Sequence, residues 1–208
     1  ATVRRFSEAG WRIITCSRDE VPEACQYDPN WVHHIPTDLG DEKDLAAFIA
    51  EANEHIGENG LAALVNNAAV SPKTPYKERL GCLNGDEEAW REVFELNFFV
   101  PLKLCRGFAA ALHRGKGAVV NITSIAGHRA HPFAGSAYSV SKAALSSLTR
   151  ELAVEFAEVH LQRLAVPRED VARREEAPRL LVRRERRVLL RAGDLHVVGL
   201  RRRPPRRD

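Results

Sequence analysis

Short β-branched runs alternate with amphipathic stretches along most of this chain, and that alternation narrows the fold more than any other feature. Trp11-Arg-Ile-Ile-Thr-Cys16, Trp31-Val-His-His-Ile35, Leu61-Ala-Ala-Leu-Val65 and Gly117-Ala-Val-Val-Asn-Ile-Thr123 each read as strands. Between them, Asp41 to Ile56 reads as a helix, with Asp41 as its cap and Leu45, Phe48 and Ile49 on one side. Asp86 to about His113 reads as a long helix that Pro101 kinks near Phe98 to Val100. A last helix runs from about Tyr138 to Val159, and Val3 and Phe6 share a face of an opening helix closed by Gly10. The alternation predicts an α/β fold with a doubly wound parallel sheet covered on both faces. Ligands in such sheets bind outside the strands' carboxyl ends. Asp38, Asn66 and Ser124 all fall at strand ends, which places the chemistry on one edge.

Three residues near that edge suggest what the chemistry is. Tyr138 and Lys142 stand four apart in a helical run, so the phenol and the ammonium share a face. A free tyrosine ionises near pH ~10, and a nearby cation favours the phenolate. Such a pair can exchange protons with an alcohol or carbonyl oxygen. Ser124 ends an apolar strand, where its hydroxyl can stand beside the pair. A bare Tyr-x-x-x-Lys occurs often by chance, so its specificity comes from its neighbours. His128 and His131 lie between Ser124 and Tyr138 and read first as exposed loop residues, with substrate contact as the second reading. His33 and His34 read as strand residues facing opposite sides, and Trp90 and Phe94 as core.

Composition excludes several classes. With 208 residues, 44% of them apolar, the chain can bury one core. No apolar run approaches the ~20 residues of a membrane span. The first ten residues lack the apolar segment of a secretory signal. Cys16, Cys25, Cys82 and Cys105 show no metal-ligand spacing, which points to reduced thiols, a cytoplasmic setting and no metal. The chain contains no methionine, so its natural start is expected upstream. Charge divides it near residue 160. From Leu161 onward there are 15 Arg against 7 acidic residues, net +8, while the first 160 carry 16 basic and 21 acidic, net −5. The expected organisation is one domain over 1–160 and an arginine-rich, disordered or out-of-frame tail over 161–208. The tail has no Lys, no aromatic and no Asn. That is what an out-of-frame reading of GC-rich DNA would produce, and it disfavours a nucleic-acid binder.

Taken together, Thr37-Asp38-Leu39, Asn66-Asn67-Ala68-Ala69, Asn97 in Glu-Leu-Asn-Phe, Ser124 in Asn-Ile-Thr-Ser and Tyr138-x-x-x-Lys142 resemble the short-chain dehydrogenase/reductase family over roughly Ala1 to Phe156. The resemblance implies a Rossmann-like fold. It also implies hydride transfer between a nicotinamide cofactor and a small alcohol or ketone, which could be a sugar or a 3-oxoacyl thioester. By position, Tyr138 is the acid/base, and Lys142 lowers its pKa and holds the nicotinamide ribose. Ser124 orients the substrate oxygen, and Asn97 holds a water in a proton relay. Asp38, with Leu39, touches the adenine, and Asn66 and Ala68 shape the cofactor channel. Ala69 stands where the family often has glycine. The family's long helix and Tyr138 helix pack across subunits, which implies a homodimer or homotetramer.

The strand before Ser17-Arg18 bears on cofactor choice. Arginine there suits a 2′-phosphate and an acidic residue a 2′-hydroxyl, so Ser17 and Arg18 favour NADP over NAD, with Asp19 opposing. Two departures stand out. The sequence has no Gly-x-x-x-Gly-x-Gly phosphate turn, and the family's first strand would precede Ala1. The sheet is therefore expected to lose a central member as well as the usual last strands, since Val166-Pro167-Arg168 is no Pro-Gly turn and Leu180–Val182 and Val188–Leu190 do not restore the pattern. On that reading this chain binds cofactor poorly. The rival reading is a non-catalytic derivative acting through oligomerisation or a basic tail.

Overall fold

The computed structural model describes residues 2–19, 30–73, 78–163 and 196–200. In chain order these form α1 (Thr2–Glu8), β1 (Arg12–Ser17), β2 (Trp31–Pro36), α2 (Glu42–Ile56), β3 (Ala63–Asn66), α3 (Glu87–Phe94), α4 (Val100–Gly107), α5 (Ala109–Gly115), β4 (Ala118–Asn121), α6 (Ser136–Arg163) and β5 (His196–Leu200). The readings of Val166–Arg168, Leu180–Val182 and Val188–Leu190 lie outside the described residues, as does Cys25.

Helix α2 starts where its cap predicts. The Asp41 carboxylate accepts from the Lys43 and Asp44 N–H groups, which satisfies donors that the first turn leaves without helical partners. Leu45, Phe48, Ala52 and Ile56 then bury one stripe against Ile14, Cys16 and Leu64 of the sheet and against Leu104 and Phe108. Val3, Ile13 and Val65 form a second buried group, with Phe6 and Trp11 packed on it. The sheet is therefore covered on both faces, as a doubly wound fold requires.

The long helix is less regular than a single kink. Between α3 and α4 the backbone makes a π turn over Glu95–Phe99, with the Val100 N–H donating to the Glu95 carbonyl. Pro101 follows one residue after Val100 and supplies no N–H, so the regular i to i−4 ladder cannot pass through this point. A second interruption falls at Phe108, where φ is −103° and ψ 5°. Trp90 and Phe94 stack on each other with centroids 6.3 Å apart, half-exposed and outside the core. The buried residue of α3 is Val93. The turn from α5 into β4 needs small residues, because a Cβ on Gly115 or Gly117 would collide with the Leu61 carbonyl.

The sheet order is β2-β1-β5-β3-β4. β1 pairs with β2 and β3 with β4, both parallel. The centre, expected to be short of a strand, is taken by β5, which lies within the arginine-rich tail. It runs antiparallel to both neighbours, with Cys16 opposite His196, Arg12 opposite Leu200 and Val65 opposite Val197. The physical reason is backbone pairing. β1 and β3 are buried strands whose facing N–H and C=O groups would otherwise lie unpaired inside the protein. The run His-Val-Val-Gly-Leu is apolar and β-branched enough to fill that position. Antiparallel polarity brings the amino end of β5 to the edge where β1 and β3 have their carboxyl ends. β4 is an edge strand among the described residues.

Candidate active site

Tyr138 and Lys142 of α6 lie beside the carboxyl end of β4, and Ser124 opens the short turn after it that packs on α6. Lys142 is 2% exposed. Its Nζ donates to the Ile122 carbonyl at 2.8 Å and stands 5.9 Å from the centroid of the Tyr138 ring. Burial pulls its ammonium down from 10.5 to about 8, since desolvation disfavours the charged form. Ser124 is extended, with φ −149° and ψ 151°, and caps the short turn Ile125–Gly127 by accepting from the Ala126 N–H at 3.2 Å. Its own O–H remains a donor. Gly127, which the sequence reading did not single out, seats that turn on α6. A Cβ there would sit 2.8 Å from the Ala143 nitrogen and 2.9 Å from the Lys142 carbonyl carbon. The close approach holds the turn that Ser124 caps against the helix that carries Tyr138 and Lys142.

Asn97 is fully buried in the π turn. Its Oδ1 accepts from the Val70 N–H at 2.8 Å, and its Nδ2 donates to the Val70 carbonyl at 2.9 Å and to Ser141 Oγ at 3.1 Å. The side chain thus ties the segment after β3 to α6. Its backbone carbonyl has no donor four residues on, because that residue is Pro101. Asn66 ends β3 and donates to Asn121 Oδ1 at 2.7 Å, and Asn121 donates to Thr149 Oγ1 of α6 at 2.9 Å. The Asn66 Oδ1 is buried without a partner among the described residues. Burial pushes the neighbouring Cys105 thiol up to about 11, against a hydrogen bond from Asn66 that lowers it.

Five of the eight cofactor candidates gather at a second part of the same edge, while Asn66, Tyr138 and Lys142 do not line it. Ser17, Arg18, Asp38, Leu39 and Ala68 line one wall of a cavity of about 470 Å³. Its other wall is helical, with Glu88, Arg91, Glu92, Glu95 and Leu96. The Asp38 carboxylate accepts from Gly40 N–H at 2.9 Å, and Leu39 and Ala68 are buried. The Ser17 hydroxyl donates to the Asp19 carbonyl at 2.9 Å. Sequence reading missed what holds this turn. Trp31 Nε1 donates to Thr15 Oγ1 at 2.7 Å, Thr15 Oγ1 lies 2.7 Å from His34 Nδ1, and His34 Nε2 lies 2.9 Å from the Asp19 carbonyl. The carbonyl can only accept, so His34 Nε2 is the donor of that bond. His33 faces the other way, toward α2, as the strand period predicts. His128 is exposed and His131 half-buried.

The short chain dehydrogenase family model matches residues 1–166. Protein FixR of Bradyrhizobium diazoefficiens is 49% identical over 158 residues, covering 76% of this chain and 57% of that protein. The short-chain dehydrogenase ptmH of Penicillium ochrochloron is 31% identical over 166 residues, covering 80% of this chain and 58% of that protein. Among solved structures, an oxidoreductase of the short chain dehydrogenase/reductase family from Brucella ovis, in complex with a partially ordered NAD, is 47% identical with a TM-score of 0.71, covering 76% of this chain and 71% of that one. The chain spans a little over half the length of these curated relatives. Matched along its first 166 residues in sequence and over 76% of its length in fold, the chain belongs to the short-chain dehydrogenase/reductase family.

Proposed function

We propose that this chain carries the acid–base centre of an oxidoreductase that interconverts an alcohol and a carbonyl, with Tyr138 as the group that gives and takes the proton. One observation carries the reading, the buried Lys142 beside Tyr138. Among the described residues its ammonium faces no carboxylate within ion-pair distance, and it is held by one carbonyl. An ammonium without a counter-ion weakens a fold through its desolvation, so its place is explained by the tyrosine it accompanies. Ser124 donates to the substrate oxygen and stabilises charge developing there. The Asn97 carbonyl, released by Pro101, accepts from a water that links Lys142 to solvent. A small ketone, a sugar or a 3-oxoacyl thioester suits this chemistry equally well.

A nicotinamide cofactor supplies or accepts the hydride when bound. The residues present fit its adenosine half. Leu39 and Ala68 offer an apolar floor, Asp38 an acceptor for the adenine, and Ser17 and Arg18 a hydroxyl and a guanidinium for the ribose and a 2′-phosphate. Asn66 shapes the channel between the two parts of the edge, and Tyr138 with Lys142 holds the nicotinamide ribose. The pyrophosphate half has no counterpart here, because the 208 residues contain no Gly-x-x-x-Gly-x-Gly turn. NADP is the cofactor this reading favours. NAD is favoured by a different observation: the cavity lining sets Asp38, Glu88, Glu92 and Glu95 against Arg18 and Arg91, an excess of negative charge that repels a further phosphate. The exposed Val140 and Val154 of α6, with Phe99 of the long helix, support a homodimer or homotetramer, which light scattering tests.

Titration of the 208-residue chain with NADPH and NADH, followed by a substrate screen with Tyr138→Phe as control, tests the reading. Saturable binding, tighter for NADPH, is expected. The Tyr138→Phe variant should bind equally well and turn over at least ~10²-fold more slowly. Turnover preserved in Tyr138→Phe would remove the acid/base role. Binding of neither nucleotide would mean that this chain does not by itself close the cofactor site.

A further inference from the structure

We infer a transition-metal site formed by His33, Glu51 and His55, away from the carboxyl edge that holds Tyr138. These three residues are brought together from two elements. His33 lies in the middle of β2, and Glu51 and His55 stand one turn apart on α2, so both point from the same face of the helix. One ligand atom from each lies within 4.8 Å of the others. His33 Nε2 is 2.7 Å from Glu51 Oε1, and the His33 and His55 ring centroids are 4.1 Å apart with the planes inclined at 38°.

The chemistry selects the kind of ion. Two imidazoles and one carboxylate suit zinc and its neighbours in the first transition row, and do not suit calcium or magnesium, which take oxygen ligands. Metal–ligand bonds of ~2.0–2.2 Å around a tetrahedral centre set neighbouring donors a little over 3 Å apart. The His33–Glu51 edge is already shorter than that. Bringing His55 in requires about an ångström of movement, within reach of side-chain rotation on an exposed helix position. Binding would displace the His33–Glu51 hydrogen bond and release any proton held there. Three protein ligands leave one position for water.

The frame is stiff enough to hold such a site. β2 is paired along its length to β1, and the register slips by one residue between Ile13 and Ile14, leaving Val32 as a bulge directly before His33. Bulges re-aim the side chains beside them. α2 is fixed by the Asp41 cap and by Leu45, Phe48, Ala52 and Ile56 in the core. An ion here joins the C-terminal half of α2 to an edge strand of the sheet. It would therefore stabilise the β2–α2 unit and leave the cavity lined by Ser17, Arg18 and Asp38 intact.

The test is a titration of the tag-free 208-residue chain with Co²⁺ and Zn²⁺, following the Co²⁺ visible spectrum and the thermal midpoint. One ion per chain, a Co²⁺ spectrum of four-coordinate intensity, and a thermal midpoint raised by Zn²⁺ are expected. Loss of an outer-shell partner alone commonly weakens metal binding ~10–100-fold, and loss of a ligand should cost at least as much. His55→Gln, at an exposed position, should weaken binding at least ~10-fold without lowering the metal-free midpoint. Glu51→Gln should act in the same direction, and His128→Ala should have no effect. Unchanged affinity in His55→Gln, or equal loss in His128→Ala, would overturn the assignment, as would the absence of saturable binding to the parent chain. None of these readouts depends on cofactor binding or turnover.

Discussion

Replacing Lys142 with methionine should make this protein more stable at neutral pH and less stable at high pH. Lys142 is 2% exposed, and burial holds its pKa at about 8 against an ordinary 10.5. The unfolded chain therefore binds this proton more tightly than the folded one, and folding expels it between about pH 8 and 10.5. Through that window stability rises with pH. Below pH 8 the folded state carries the whole burden of a buried ammonium, ~3 kcal/mol at ~1.36 kcal/mol per pH unit. Methionine has a similar length, no charge and no titration. It also loses the hydrogen bond to the Ile122 carbonyl, worth ~1 kcal/mol. The variant should thus gain ~2 kcal/mol at pH 7, and the gain should fall by ~2–3 kcal/mol by pH 10. Urea unfolding followed by circular dichroism, on both proteins at both pH values, measures the difference. A difference between variant and parent that stays the same at pH 7 and pH 10 would refute the reasoning. If Tyr138 acts as the proposed acid/base, the same variant should also lose turnover, a trade of stability for the proton chemistry of a neighbour.

Two other outcomes follow from the buried polar groups. Asn97→Ala removes three hydrogen bonds and leaves the Val70 N–H and carbonyl and the Ser141 hydroxyl without that partner. It should destabilise the fold by ~3 kcal/mol in the same unfolding assay. Cys105 and Cys16 are buried and Cys82 is exposed. Burial holds the Cys105 thiol protonated up to about pH 11, so brief iodoacetamide treatment of the native protein at pH 8 should label Cys82 and spare Cys105 and Cys16 in a peptide map.

Much of the geometry of the candidate edge was legible because it depends on short-range rules. The i, i+4 spacing of Tyr138 and Lys142 puts them on one face of α6 whatever surrounds the helix. The Asp41 cap acts on N–H groups two and three residues away. The β-branched runs around Ile14, Leu64 and Val119 locate strands, and the rule that ligands bind at strand ends then locates Asp38, Asn66 and Ser124 together. Even the opposite orientation of His33 and His34 follows from the two-residue period of a strand.

Long-range packing and pairing decided what the sequence did not show. Pro101 announces a disturbance, but the π turn at Glu95–Phe99 and the capture of the Asn97 side chain by Val70 and Ser141 depend on where the segment after β3 and helix α6 happen to pass. Trp90 and Phe94 look like core residues by type, yet the helix turns Val93 inward in their place. His33, Glu51 and His55 lie in two elements and meet only because β2, an edge strand among the described residues, lies beside α2. The clearest case is β5. Nothing local in His-Val-Val-Gly-Leu says that it belongs between β1 and β3, or in which direction it runs. That is settled by two buried strands whose facing backbone groups need partners, a demand that exists only once the sheet has formed.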